Sequence, residues 1–201
     1  MKIITIDREF GSGGRELGKR LSEALQIPCY DQEIIEEVAK LHNLDPAHVE
    51  HISESDVRKV YPATIGRRFY VSAKPAKDSF QILASERDVI NTLARQGDCV
   101  IVGRGADLIL QEFNPFNMFI YADQESKLKR CIERTKGDER EIDIQRQMKR
   151  IDPDRAAFRE LLTDSKWGQK ESYHLCVNTS GKTIKSLIPA IKAYVDCWFS
   201  I

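Results

Sequence analysis

The sequence predicts an α/β fold: three layers, α/β/α, around a parallel, doubly wound sheet of about five strands. Three observations carry that expectation. The apolar stretch Ile3-Ile4-Thr5-Ile6 runs into the glycine-dense loop Gly11-Ser12-Gly13-Gly14 and on into a helical period. Short apolar runs then alternate with amphipathic segments along the whole chain, the pattern of successive β-α-β units. Finally, Cys99-Val100-Ile101-Val102 is continuously apolar, as a strand covered on both faces must be.

Taken in order, residues 2–7 read as the first strand. Leu17, Leu21 and Leu25 recur every fourth residue and mark one face of a helix over residues 13–26. Pro28-Cys29-Tyr30 is a short second strand. Asp31 follows, either as the cap of the next helix or as a group facing a ligand. The buried face of that helix is expected to hold Ile34, Ile35, Val38 and Leu41. Residues 43–78 carry His48, His51, Pro62, Pro75 and the pair Arg67-Arg68 without a sustained apolar period, so they read as a partly helical, mobile insertion. Leu83, Ile90 and Leu93 restore helical spacing over residues 79–96, and Gly97 ends it.

The strand at Cys99–Val102 stops at Gly103-Arg104-Gly105. Met118-Phe119-Ile120-Tyr121 is the next strand, and Leu128, Cys131, Ile132 and Thr135 line the helix after it. Residues 136–166 are densely charged. His174-Leu175-Cys176-Val177 gives the last strand, and Ile184, Leu187, Ile188, Ile191, Val195 and Trp198 trace the final amphipathic helix.

Composition narrows the function. A chain of 201 residues suits one domain, 1–201, with room for insertions at 43–78 and 136–166. The 31 acidic and 31 basic side chains cancel, which argues against a general nucleic-acid or membrane-surface binder. No apolar run approaches the roughly 20 residues that span a bilayer. The N-terminus enters a strand at once, with no signal-peptide pattern, so the expected location is cytoplasmic. The five scattered cysteines read as small core residues of a protein in a reducing compartment.

The chemistry is expected in the first loop. Strand, glycine loop and helix in that order place backbone N–H groups and a helix N-terminus around an anion. The amides of Gly11, Ser12, Gly13, Gly14, Arg15 and Glu16 are the candidate cradle, although the G-x-x-x-x-G-K-[ST] consensus fails for want of its lysine. Arg15 is the first candidate to replace that charge, and Lys19, one turn on, is the second. Glu16 is either a Mg²⁺ ligand or a first-turn acid paired with Arg20, and Asp7 is a second candidate metal or water ligand. Arg104, between two glycines at a strand end, reads as a phosphate contact or as one side of an ion pair. Arg150, Arg155 and Arg159 are either lid arginines that screen phosphate charge or a solvated helix face. His48, His51 and His174 show no ligand spacing. The ends of parallel strands put the first loop, Arg104 and the charged segment around one cleft.

These residues resemble the nucleoside monophosphate kinases, and nearest the cytidylate kinase-like family. The resemblance runs through Arg8-Glu9-Phe10-Gly11-Ser12-Gly13-Gly14-Arg15-Glu16, Pro28-Cys29-Tyr30-Asp31 and Val100-Ile101-Val102-Gly103-Arg104-Gly105-Ala106-Asp107. It continues in Arg150-Ile151-Asp152-Pro153-Asp154-Arg155 and in Tyr173 to Ser180. It implies a P-loop kinase fold, an acceptor-binding insertion at 43–78, an arginine-bearing lid at 136–166, and the co-substrate ATP with Mg²⁺. Laid over true cytidylate kinases, the loop lysine falls on Gly14 and the magnesium-binding hydroxyl on Glu16. The acceptor arginine falls near Glu37, and a carboxylate two residues before Arg104 becomes Val102. The Asp expected after the Gly-Arg pair becomes Gly105, with Asp107 two residues on. Arg155, in an Asp-x-x-Arg pattern with Asp152, is then the first lid candidate. The resemblance therefore implies a phosphotransferase with Arg15, Arg104 and Arg155 in catalytic roles, and with Asp31, Arg104 and Asp107 at a nucleotide or other small acceptor. The alternative is a non-catalytic nucleotide- or anion-binding module with a degenerate loop.

Overall fold

The computed structural model describes residues 1–55, 77–135 and 140–200. Its centre is a parallel five-stranded sheet: β1 (Ile3–Arg8), β2 (Cys29–Tyr30), β3 (Cys99–Val102), β4 (Phe116–Tyr121) and β5 (Leu175–Asn178), in the order β2-β3-β1-β4-β5. Ile4 stands beside Val100 on one side and Phe116 on the other, and β5 joins through Met118 and Leu175. β1 is thus the central strand, and its carboxyl end opens in the middle of the molecule.

The two-residue period of the strands divides the core. Ile4 and Ile6, with Val100, Val102, Met118 and Ile120, pack against α1 (Gly14–Leu25) and the last helix. Ile3, Cys99 and Ile101 face the other way, onto α2 (Gln32–His42), α3 (Pro46–Ser55) and α4 (Lys77–Arg95). Beyond β3 come the short α5 (Ala106–Ile109), then α6 (Gln124–Thr135), the long α7 (Glu141–Leu162) and α8 (Ile184–Phe199).

Helix α1 begins immediately after the left-handed Gly13 (φ 85°) and ends at the left-handed Gln26, whose N–H and that of Ile27 bond back to the carbonyls of Glu23 and Ser22. Its inner face is Leu17, Gly18 and Leu21. Gly18 lets the helix lie close on the sheet, because a Cβ there would meet Val102 Cγ2 at 2.7 Å and Ile6 Cδ1 at 3.3 Å.

The differences from expectation have local causes. Leu41 lies on the apolar side of α2 by period, but it sits in the last turn, before left-handed Asn43, and is exposed; Ala39 is buried instead. Trp198, in the last turn of α8, is likewise 41 % exposed while leaning on Phe116 and His174. Asp31 stands at the N-cap position of α2 without making a capping bond, because its carboxylate is drawn to arginines described below. Of the cysteines, Cys99 and Cys131 are buried, Cys29 and Cys176 half-buried, and Cys197 exposed.

Within residues 43–78, α3 buries Val49 and Ile52, whereas Pro62, Arg67, Arg68 and Pro75 lie outside the described residues. Of the charged segment, 136–139 also lie outside them, and most of the rest is α7. Among the described residues no helix is long and apolar enough to cross a membrane.

Gly18→Ala should test the close approach of α1 to β3. Alanine favours the helix by about 1 kcal/mol, but its methyl must displace the stiff, buried Val102, so we expect a net loss of about 1–2 kcal/mol in chemical denaturation. Adding Val102→Ala should leave Gly18→Ala no longer harmful in that background.

Candidate functional site

The carboxyl ends of β1 and β3 carry the loop from Glu9 to Gly13 and the turn from Gly103 to Gly105. Gly11 (φ 76°) and Gly13 (φ 85°) take left-handed conformations, and Ser12 between them is fully buried. Ser12 binds inward: its hydroxyl donates to the Glu9 carbonyl at 2.8 Å, and its own carbonyl accepts from Thr179 Oγ1 at 2.7 Å. Gly11 closes on α6, where a Cβ would stand 2.9 Å from Cys131 Sγ. A cleft of about 660 Å³ opens over the loop, lined by Gly11, Gly13, Gly14, Arg15, Lys19 and Arg134 among others.

Arg15 lies in that cleft, but its guanidinium turns to carboxylates. Nε pairs with Asp31 Oδ2, and Nη2 stands 3.9 Å from Glu50. Glu16 is folded onto Arg20 at 2.6 Å, one turn along α1, as a first-turn acid. Lys19 is exposed at the rim.

On the far side of β1, a small cavity of about 50 Å³ lies among Asp7, Arg8, Arg104, Asp107, Arg155 and Arg159, with Phe158 and Trp167 as apolar walls. Gly103, Arg104 and Gly105 are all left-handed, and Arg104 at φ 61° carries the cost that a side chain brings there. Its side chain is only 3 % exposed, with Nε 3.5 Å from Glu86 Oε1, and none of its three nitrogens has a hydrogen bond among the described residues. A strained, buried guanidinium with donors to spare has the chemistry that suits anionic oxygen atoms.

Asp107 behaves differently. It accepts from Arg159 Nη1 at 2.5 Å, and Arg159 also donates to Ser165 and lies 5.1 Å over the Tyr173 ring. Tyr173 in turn donates to Asp7 Oδ2 at 2.9 Å. Burial, reinforced by the neighbouring Asp7, raises the pKa of Asp107 against the pull of Arg159. The Tyr173 hydroxyl is also held protonated, by burial first and then by Asp7. Asp7 and Asp107 thus serve first to fix Arg159 and Tyr173.

Helix α7 is tied to the loop. Asp152 Oδ1 accepts the Phe10 N–H at 2.7 Å, and Arg155 donates to the Arg8 carbonyl at 3.1 Å. Lys127 of α6, buried, joins Glu9 at 3.0 Å to Asp152 at 3.6 Å. Arg130 bonds to the carbonyls of Gly11, Thr179 and Lys182, clamping the loop to the segment after β5. Arg155 borders both cavities; Arg150, the third lid candidate, lines neither.

The loop fits a polyphosphate: it turns through left-handed Gly11 and Gly13 into the N-terminus of α1, and the cleft above it carries Lys19, Arg130, Arg134 and Arg155. A divalent cation fits only as a companion of that ligand. Among the described residues no three His, Cys, Asp or Glu side chains converge to hold a metal. Glu16 or Asp7 offers a single carboxylate, the share a protein gives to an ion that keeps phosphate and water ligands.

Arg15, Asp31, Arg104, Asp107 and Arg155, expected from the sequence to share a site, all lie around β1's carboxyl end. Glu86, Lys127, Arg130 and Arg134 join them without having been sequence candidates, and Tyr173 joins them with no role expected of it. Lys127, Arg130 and Arg134 share one helix face at i, i+3 and i+7, a legible signal that points nowhere until Gly11 is known to lie against that face.

The model of the cytidylate kinase-like family matches residues 3–181, and the chain belongs to that family. An uncharacterized protein from Eubacterium ventriosum ATCC 27560 has a crystal structure with 28 % identity and a TM-score of 0.70, over 98 % of this chain and 99 % of that one. The fold is also that of shikimate kinase from Acinetobacter baumannii, solved with shikimate (16 % identity, TM-score 0.56, 97 % and 93 % of the two chains). A gluconokinase from Sinorhizobium meliloti 1021 shares it too (15 %, 0.55, 98 % and 93 %). No curated protein matches the chain. The chain therefore has a P-loop kinase fold.

Replacing Lys127 by Met tests the charge network beneath the loop. With the ammonium gone, Glu9 loses its cation and Asp152 keeps only Arg155, 3.8 Å away, and the Phe10 N–H, so we expect a loss of about 3 kcal/mol at neutral pH. Burial already raises the Asp152 pKa, against the lowering by Lys127, so the variant raises it further. A raised carboxylate contributes its stability below the unfolded pKa and loses it as pH rises through the folded one. The deficit in melting temperature should therefore shrink as pH falls toward about 4.

Proposed function

We propose that this member of the cytidylate kinase-like family is a Mg-ATP-dependent phosphotransferase acting on a small anionic acceptor, a nucleotide or another phosphorylated compound. What carries the reading is Arg104: a buried, left-handed arginine with unused donors, facing a cavity that meets the phosphate-loop cleft beside Arg155.

In this reading the amides of Gly11 and of Gly13 to Glu16 hold the donor phosphates, the Ser12 N–H being spent on the Glu9 carbonyl, with Arg15, Lys19 and Arg134 around the cleft. Mg²⁺ would come with the triphosphate and spread its charge, with Glu16 or Asp7 able to add one carboxylate. Arg104 would bind the acceptor anion, Asp107 would wall its pocket, Asp31 would act from beside it through Arg8 and Arg15, and Arg155 would face the phosphoryl group in flight. Bond breaking lies between the γ-phosphorus and the oxygen that leaves with ADP; bond making lies between that phosphorus and an acceptor oxygen. A phosphate acceptor brings an ionised oxygen, so the step asks for charge screening and alignment, which arginines supply.

The test is ADP release from Mg-ATP across a panel of nucleoside monophosphates and small phosphorylated compounds. We expect turnover that needs an acceptor, and Arg104→Ala should raise the acceptor KM about tenfold to a hundredfold with the ATP KM little changed. Nucleotide binding without turnover on any acceptor would leave the non-catalytic module as the correct reading.

A further inference from the structure

We propose that Arg8, the last residue of β1, is the cation of the phosphate loop. Its stem fills the space that a lysine at position 14 would occupy, and its guanidinium stands between the donor cleft and the acceptor pocket. The inference rests on the phosphotransferase reading and names the residue that supplies the charge missing from its loop.

The two departures of this loop from consensus are complementary. With the second glycine of G-x-x-x-x-G-K set on Gly13, the first glycine falls at position 8 and the lysine at position 14. The chain has Arg8 and Gly14 there. The long cationic side chain and the bare backbone have changed places.

The structure gives that exchange a steric reason. A Cβ on Gly14 would stand 2.6 Å from Arg8 Cβ and 2.9 Å from Arg8 Cγ, so no side chain can grow from position 14 while Arg8 lies there. At its far end Arg8 reaches Gly103, where any Cβ would overlap Nη1 of the guanidinium. Arg8 thus runs along a trough between two glycines, from the start of α1 to the end of β3. It is 7 % exposed, and Nη2 lies 3.9 Å from Asp31 Oδ1. It borders both cavities, a position it shares with Arg155.

Arg15 is placed otherwise. It is 54 % exposed, and its charge is committed to Asp31 and Glu50. A planar, permanently charged guanidinium seated between two anions can turn one edge to each, which a point-charged ammonium cannot. Position 8 therefore suits an arginine that serves donor and acceptor together.

The experiment measures binding of inorganic tripolyphosphate and of ADP by calorimetry, with melting temperatures alongside, for five proteins: wild type, Arg8→Ala, Arg15→Ala, Gly14→Lys and the exchange Arg8→Gly with Gly14→Lys. We expect Arg8→Ala to weaken tripolyphosphate about tenfold to a hundredfold and Arg15→Ala less than about threefold. Gly14→Lys alone should lower the melting temperature and lose binding, since its side chain collides with Arg8. The exchange should recover both, with affinity within about tenfold of wild type, and it keeps the test decisive if Arg8→Ala fails to fold. Wild-type affinity in Arg8→Ala overturns the inference, as does a greater loss from Arg15→Ala, or an exchange variant no better than Gly14→Lys. If the wild type binds neither probe, the phosphotransferase reading falls, and this assignment with it. If the wild type binds and Arg8→Ala binds equally, only the assignment falls.

Discussion

Everything at the carboxyl end of this sheet depends on one constraint: a buried cation needs a carboxylate within reach. The strands of a parallel sheet end together, and here they end among arginines. Each buried cation is held. Arg104 faces Glu86, Arg159 binds Asp107, Lys127 bridges Glu9 and Asp152, and Asp31 takes Arg15 on one oxygen with Arg8 near the other. Removing charge from water is costly, and the return is large only with good geometry and further hydrogen bonds. The formal neutrality of the chain is thus repeated inside its site.

That compensation shapes what the site can select. An anion entering between matched pairs must better the carboxylates already there, so a weakly charged or poorly shaped ligand gains little. The pairs are not equally tight. Asp107 and Arg159 are bonded at 2.5 Å and braced by Ser165 and Tyr173, whereas Arg104 meets Glu86 only at 3.5 Å and keeps its donors unspent. The first arrangement holds the wall of the pocket; the second leaves room for an incoming oxygen. The left-handed backbone at Arg104, in the turn closed by the Ala106 N–H on the Gly103 carbonyl, carries a conformational cost that holds this side chain inward.

The sheet was legible because apolar period is a local property. Ile3 to Ile6, Cys99 to Val102 and the β4 run declare themselves without reference to neighbours, and the glycines of the loop predict its tight entry into α1. The ends of helices were less legible. Leu41 and Trp198 lie on the correct faces, yet each sits in a last turn, and period says nothing of where a neighbour stops. Side-chain pairing was least legible of all. Asp31 has the identity and position of a helix cap, but two arginines from other segments draw its carboxylate away. Lys127 and Arg130 look like any other surface cation until folding brings α6 against Gly11 and Phe10. Such facts depend on residues more than a hundred positions apart, as with Arg130 and the Gly11 carbonyl.

The loop itself separates two properties that a consensus motif ties together. The shape of the loop is decided by backbone: left-handed Gly11 and Gly13, the buried Ser12 and the N-terminus of α1. Which side chain brings the positive charge is decided by space, and Gly14 and Gly103 leave that space to a residue entering from the strand. A cation rooted at position 8 is tied to the sheet through the pairing of Arg8 with Ile120 of β4, whereas one rooted in the first turn of a helix rides on that helix. In the proposed assignment, moving the charge from position 14 to position 8 ties it to the central strand and no longer to α1. It also turns the charge toward β3 and Arg104, away from the donor cleft alone. A loop altered in this way has not simply lost a lysine; in the proposed assignment its charge stands where the two cavities adjoin Arg8.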